Sequence, residues 1–165
     1  MKTEYMNIAI LILTTCTLLV AFSQMRIASA KTRMDLYNKR FSIYLTALDY
    51  YQALWLDHSE ESVKSIKEKA VSFTKAYRES QFLFDADSGI YEILGEMQQH
   101  GSTMSYYIKR RVECDTQNVE DRSDLLPLLT AYNESYPLFE MKLKTLELKM
   151  KKYLDFSKID GWRLV

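Results

Sequence analysis

The chain has 165 residues, 47% of them hydrophobic, and its 22 Lys+Arg balance its 22 Asp+Glu. That apolar share supports a core and excludes intrinsic disorder as the main state, while the absence of a basic excess argues against a nucleic-acid partner. Two cysteines supply neither a disulfide framework nor a cysteine-rich zinc site.

After a short N-terminus, residues 1–5, no residue from Met6 to Met25 is charged, and IAILILTTCTLLVAF from Ile8 to Phe22 is almost wholly apolar. A spanning helix needs about 20 such residues, because the hydrocarbon layer is about 30 Å thick and a helix rises about 1.5 Å per residue. Residues 6–25 therefore read as a transmembrane helix, with Thr14, Thr15 and Thr17 able to bond back to their own helix carbonyls. Lys2 and Glu4 cancel on one flank. Arg26, Lys31, Arg33, Lys39 and Arg40 follow on the other, opposed by Asp35 alone. The positive-inside rule places that side in the cytoplasm. The alternative is a signal peptide cut after Ala30, since Ala28-Ser29-Ala30 has the small-x-small form of a cleavage site. Arg26 inside the cleavage region, and a basic cluster just beyond the cut, argue for retention. Cys16 reads as a lipid-facing or packing residue, because Thr15 is too large to precede a lipidated cysteine. Cys114 then stands alone in the soluble part, which suits a reducing cytoplasm.

Residues 26–155 read as four amphipathic helices, and neither Gly nor Pro occurs before Gly89. In the first soluble stretch the seam is Met34, Tyr37, Phe41, Tyr44, Leu48, Tyr51 and Trp55, widened by Leu36, Ile43, Ala47 and Leu54. A first helix from Met6 to Leu56 would be a rod of roughly 75 Å. Residues 57–61 read as a turn with acids suited to a helix start. The second helix shows Val63, Ile66, Ala70, Phe73 and Tyr77 and ends near Phe84. Residues 85–89 turn the chain, with Asp87 or Ser88 as N-cap. The third carries Ile90, Leu94, Met97, Gly101, Met104 and Ile108 and is expected to close on Lys109, Arg110 and Arg111, leaving residues 114–122 as a loop. Ser123 or Asp124 caps the fourth, with Pro127 in its first turn. Its seam runs from Leu125 through Leu129, Tyr132, Tyr136, Phe139, Leu143, Leu146 and Met150 to Tyr153. The pattern keeps phase across Pro137, which predicts a kink there and not an end. Residues 156–165 are a tail. The expected fold is all-α: an N-terminal transmembrane helix continuing into an antiparallel four-helix bundle.

The segment KTRMDLYNKRFSIY from Lys31 to Tyr44 resembles that of uncharacterised bacterial single-pass membrane-anchored helical proteins, in which R-x-D-L-(Y/F)-x-(K/R)-R-F-x-(V/I)-(Y/F) follows the N-terminal span. The stretch from Arg78 to Phe84 leading to Ile90 and Tyr91, and that from Lys152 to Ile159, are similar to the same group. The resemblance implies a membrane-anchored helical protein that retains its anchor, and it supplies no catalytic residues. Some such small proteins are found among phage-defence and mobile-element genes, which the resemblance suggests as context.

The cations divide into a membrane-surface set: Arg26, Lys31, Arg33, Lys39 and Arg40 after the span, and Lys149, Lys151 and Lys152 at the end of helix four, with Trp162 as an interfacial anchor. The plainer reading of the first group is a topology signal with Asp35 and Lys39 paired one turn apart. Asp85, Asp87, Gly89 and Glu96 invite a calcium-loop reading, which fails because the glycine is one place early and position five offers no side-chain oxygen. His58 and His100 lack a second ligand at metal spacing and read as exposed. Cys114 lies between Glu113 and Asp115, which disfavours a thiolate nucleophile. No G-x-S-x-G elbow or phosphate-cradling loop is present. No catalysis, cofactor, metal or small-molecule substrate is expected. Among 12 Tyr, Tyr50, Tyr91, Tyr106 and Tyr107 fall partly off the seams and are candidates for partner binding. The function read from this is that of an inner-membrane, single-pass interaction protein with its bundle in the cytoplasm, contacting lipid and a protein partner or itself. A cleaved periplasmic or secreted helical-bundle binding protein is the alternative. A membrane-perturbing effector is a third reading.

Overall fold

The computed structural model describes residues 2–55, 59–117 and 122–155, with side chains from Tyr5 onward. The chain is all-helical. Among the described residues there are four α-helices, α1 (Lys2–Ala53), α2 (Glu60–Leu83), α3 (Ile90–Thr116) and α4 (Leu125–Met150), with a 3-10 turn at Ala86–Ser88 and no strand. The residues fall into two units, one reaching to Tyr37 and one comprising Asn38–Leu154. Trp162 and the tail lie outside the described residues.

In the first unit the apolar part of α1 is long and apolar enough to cross a membrane. Its most apolar 18 residues have a mean hydropathy of 2.1, and none of them is buried. The threonines that interrupt it are satisfied within the helix: Thr14 donates to the Ile10 carbonyl (2.6 Å), Thr15 to Leu11 (2.8 Å) and Thr17 to Leu13 (2.7 Å). Such back-bonding lets a hydroxyl sit in an apolar medium without an orphaned donor.

The second unit has one core, to which the end of α1 and all of α2, α3 and α4 contribute. On α3 the predicted seam is buried throughout, from Ile90 to Ile108. On α1 the widening residues Ile43, Ala47 and Leu54 are buried as expected and are joined by Tyr50 and Ala53, whereas Trp55 on the predicted seam is 60% exposed. The larger side chains turn toward α4. Tyr44 donates to Glu147 Oε1 (2.8 Å), Tyr51 stacks on Phe139 (5.7 Å) and Trp55 meets the Tyr136 ring edge-on (4.9 Å). Tyr44, Tyr51 and Trp55 thus mark the seam with α4, and Ile43, Ala47, Tyr50 and Leu54 fill the centre.

Both ends of α3 differ from expectation. α3 does not stop at its basic triplet but continues to Thr116, because Val112 prolongs the buried stripe and acids follow the cations one turn on. Lys109 pairs with Glu113 (3.6 Å) and Arg111 with Asp115 (4.0 Å), spacings that support a helix. Cys114 is therefore fully buried in α3 and not in a loop. Before α3, neither Asp87 nor Ser88 is the cap. Gly89 takes that place at φ 68°, a left-handed conformation that glycine adopts without strain, and Ser88 Oγ accepts from the Ile90 amide (3.2 Å). Asp124 is the N-cap of α4, as expected, although its carboxylate makes no capping bond. Its carboxylate takes Arg110 instead (2.7 Å). At α2, Ser59 caps by accepting from the Ser62 amide (3.2 Å). α4 continues through Pro137.

Tyr50 is the keystone of this core. It is 2% exposed, lies 5.3 Å from the Phe73 ring and 6.0 Å from that of Phe139, and shares a hydrogen bond with Ser105. Burial pushes its phenol up to about 12. A phenol whose folded value exceeds its unfolded one contributes stability that is present below the unfolded value of about 10 and lost as pH rises toward the folded value. The difference between the two values corresponds to roughly 3 kcal/mol. The urea midpoint of the core is expected to fall between pH 10 and 12. Tyr50→Phe should remove about that share of the slope, read as urea midpoint against pH.

Candidate functional site

The predicted membrane-surface cations separate into two groups. Arg26, Lys31, Arg33 and Lys39 are exposed along α1. Arg40 is half-buried and engaged: Nε donates to the Leu83 carbonyl (2.9 Å), and the guanidinium lies 4.8 Å from the Tyr153 ring and 5.7 Å from that of Phe84. This ties α1 to the end of α2 and to the residues following α4. Tyr153 donates to Asp85 Oδ2 (2.9 Å) and meets Phe84 edge-on, while Lys149 Nζ donates to the Ser88 carbonyl (2.7 Å). Arg40, Lys149 and Lys152, whose Nζ is 5.4 Å from the Tyr153 ring, thus gather at one end of the second unit. A planar guanidinium suits this place, since it donates to a carbonyl while stacking on rings. Arg40→Ala is expected to lower core stability by about 2 kcal/mol, with Arg40→Lys restoring only part of it, measured as a urea midpoint at unchanged m value.

The four candidate tyrosines do not form one surface. Tyr50 and Tyr107 are buried, which corrects their reading as off-seam residues: each faces a neighbouring helix, Tyr107 lying 5.1 Å from Tyr132. Tyr91 is half-buried and stacked on Tyr77 (4.6 Å). Tyr106 is 57% exposed.

Tyr106 borders a groove between α2 and α3 of about 720 Å³, lined from α2 by Val63, Lys67, Ala70, Val71 and Thr74 and from α3 by Ser102, Ser105, Tyr106 and Lys109. Near the turn the two helices are held together by the Tyr77–Tyr91 stack and by Gln98 Nε2 donating to Thr74 Oγ1 (3.1 Å). Beyond Thr74 the lining includes the small side chains Ala70, Ser102 and Ser105, over which the groove lies. Sequence periodicity did not find this feature, although Val71, an apolar residue off the α2 seam and 65% exposed, was the available signal. A second hollow of about 420 Å³ lies between α3 and α4 beside Tyr107, Leu125 and Leu129.

Two of the residues weighed for metal chemistry have other partners. Asp85 receives Tyr153, and Glu96 pairs with Lys142. His100 is half-buried, and His58 lies outside the described residues. Among the described residues no three His, Cys, Asp or Glu side chains converge. No family model, no curated protein and no solved structure matches the chain.

Proposed function

We propose that the chain is a single-pass inner-membrane protein, anchored by residues 6–25 with its N-terminus outside, whose cytoplasmic antiparallel four-helix bundle binds another protein or itself as a scaffold, sensor or effector subunit. The observation that carries the anchor is the exposure of α1: Leu11, Leu13, Leu18 and Ile27 are each 67–71% exposed. Each such side chain gains about 1.5–3 kcal/mol on leaving water, and a bilayer is the medium that supplies this for a whole helix. The antiparallel arrangement is supported by contacts whose residue numbers run in opposite senses. Arg40 meets Leu83 while Asp49 meets Lys69; Tyr77 meets Tyr91 while Thr74 meets Gln98; Glu96 meets Lys142 while Arg110 meets Asp124. The interaction role is supported by the exposed apolar side chains of the second unit, which include Phe82 at 82%. The resemblance at Lys31 to Tyr44 adds phage defence as a context for this reading.

The periplasmic or secreted alternative has its own observation in Ala28-Ser29-Ala30, and removing residues 1–30 would leave the Asn38–Leu154 unit whole. Intact mass from separated fractions decides between them. A mass beginning at Met1 in membranes, with the bundle digested by protease only in inside-out vesicles, is the expected result; a soluble mass beginning at Lys31 refutes the anchor. Photo-crosslinkers at Tyr106 and Met141 test the interaction role, which falls if they capture lipid alone or nothing.

A further inference from the structure

The α2–α3 groove has a shape and a charge that together specify an occupant. Its α2 wall from Val63 to Thr74 is roughly 16 Å long, three helical turns. Ala70 and Ser105 are small residues of its lining, and Ser105 neighbours the buried Tyr50 hydroxyl. Val71 and Tyr106 stand exposed on opposite walls. Two helices separated by small residues present a trough that takes the side-chain ridge of a third. The lining carries Lys67 and Lys109 and no carboxylate, in a chain whose net charge is zero. Lys109 is paired only loosely with Glu113, at 3.6 Å with 59% of its side chain exposed, so it can turn to a new acid.

We propose that this groove docks an amphipathic helix of a partner protein, one that presents apolar side chains at three- and four-residue steps and carboxylates beside them to meet Lys67 and Lys109. The proposal rests on the interaction role above and names the chemistry of the partner. A helix laid into a groove formed by two others is a recurrent recognition mode. A second copy is a poorer occupant: beside the outward apolar residues of α4, Leu138, Met141 and Leu148, Glu140 already holds Lys144 (2.7 Å) and Glu147 accepts from Tyr44 (2.8 Å), so neither acid is spare to meet Lys67 and Lys109. An acyl chain is also a poor occupant, since the trough is open to solvent along its length.

The test uses the full chain in nanodiscs and two fluorescein-labelled helical peptides of about 16 residues. Both carry leucines at three- and four-residue spacing; glutamates flank them in one and lysines in the other. The glutamate peptide is expected to bind saturably and at least about tenfold more tightly than its lysine isomer. The double variant Lys67→Glu with Lys109→Glu should invert that preference, and Tyr106→Ala should weaken binding about fivefold. Leu138→Ser with Met141→Ser, on another face, should leave binding unchanged. All these positions except half-exposed Leu138 and Met141 line the groove at its surface, and circular dichroism of each variant verifies the fold. Equal affinity for the two peptides, no saturable binding up to about 1 mM, or indifference to the charge reversal each overturns the proposal. If the crosslinker at Met141 captures a protein while the groove fails these tests, the interaction role stands and the groove assignment alone falls.

Discussion

Replacing Gly101 with valine is expected to destabilise the Asn38–Leu154 core by about 3–4 kcal/mol, a large share of the 5–15 kcal/mol typical of such a domain. A β-carbon at Gly101 would lie 2.5 Å from Cε1 of Tyr50 and 2.9 Å from both Cζ and the hydroxyl. The ring has nowhere to move: Phe73 and Phe139 flank it, and its hydroxyl is bonded to Ser105. Alanine brings the same β-carbon, but recovers about 1 kcal/mol of helix propensity over glycine, so Gly101→Ala should cost only about 1–2 kcal/mol. In a Tyr50→Ala background the clash disappears, and Gly101→Ala should become neutral or mildly stabilising, the mark of a direct contact in a double-mutant cycle. Gly95→Ala is the contrast. Its β-carbon would meet Tyr77 at 3.3–3.5 Å, at the half-buried edge of the core, and the change should be near neutral. Urea unfolding of the five variants, Tyr50→Ala alone included, measures all of this. Equal effects at Gly95 and Gly101 would refute the keystone role of Tyr50.

The same pair of residues shows what periodicity could and could not see. Gly101 sits on the predicted stripe of α3, and its place in the core was legible from the steps Met97, Gly101, Met104 and Ile108. That the residue opposite is Tyr50 was not legible. A helix touching two neighbours has two seams, and the large aromatics Tyr44, Tyr51 and Trp55 draw attention to the seam with α4. Tyr50, one residue back, looked spare because its partner is the absence of a side chain. Arg40 escaped for a related reason. Its place in a basic run suggested a lipid contact, whereas its carbonyl and ring partners come from residues more than 40 positions away. The extent of α3 was misread from its basic triplet alone, although the acids one turn later were present to prolong it. The groove had no periodic signature, since small residues on a helix flank look the same whether they face solvent or a partner.

Arginines at Leu13 and Leu19 are expected to abolish membrane integration while leaving the core folded. The two leucines are 70% and 60% exposed and lie six residues apart, so they occupy different faces of α1 and no single rotation shelters both. Each arginine near the middle of a span costs about 2.5–3.5 kcal/mol on insertion scales. The pair therefore withdraws about 5–7 kcal/mol from a segment that only just reaches spanning length. Neither leucine belongs to the buried core, so urea unfolding of the released chain should retain the wild-type midpoint. The decisive control is Leu148→Arg on α4. Leu148 is 66% exposed, as open as Leu13, yet it lies in the other unit. If exposure of leucine anywhere were what drew the chain to membranes, that substitution would weaken recovery with the membrane fraction as well. Under the anchor reading it leaves fractionation untouched, and only the changes in α1 release the chain. A Leu13→Arg, Leu19→Arg chain that still sediments with membranes at full mass would mean that lipid is held by the bundle surface, and α1 would lose its role as the anchor.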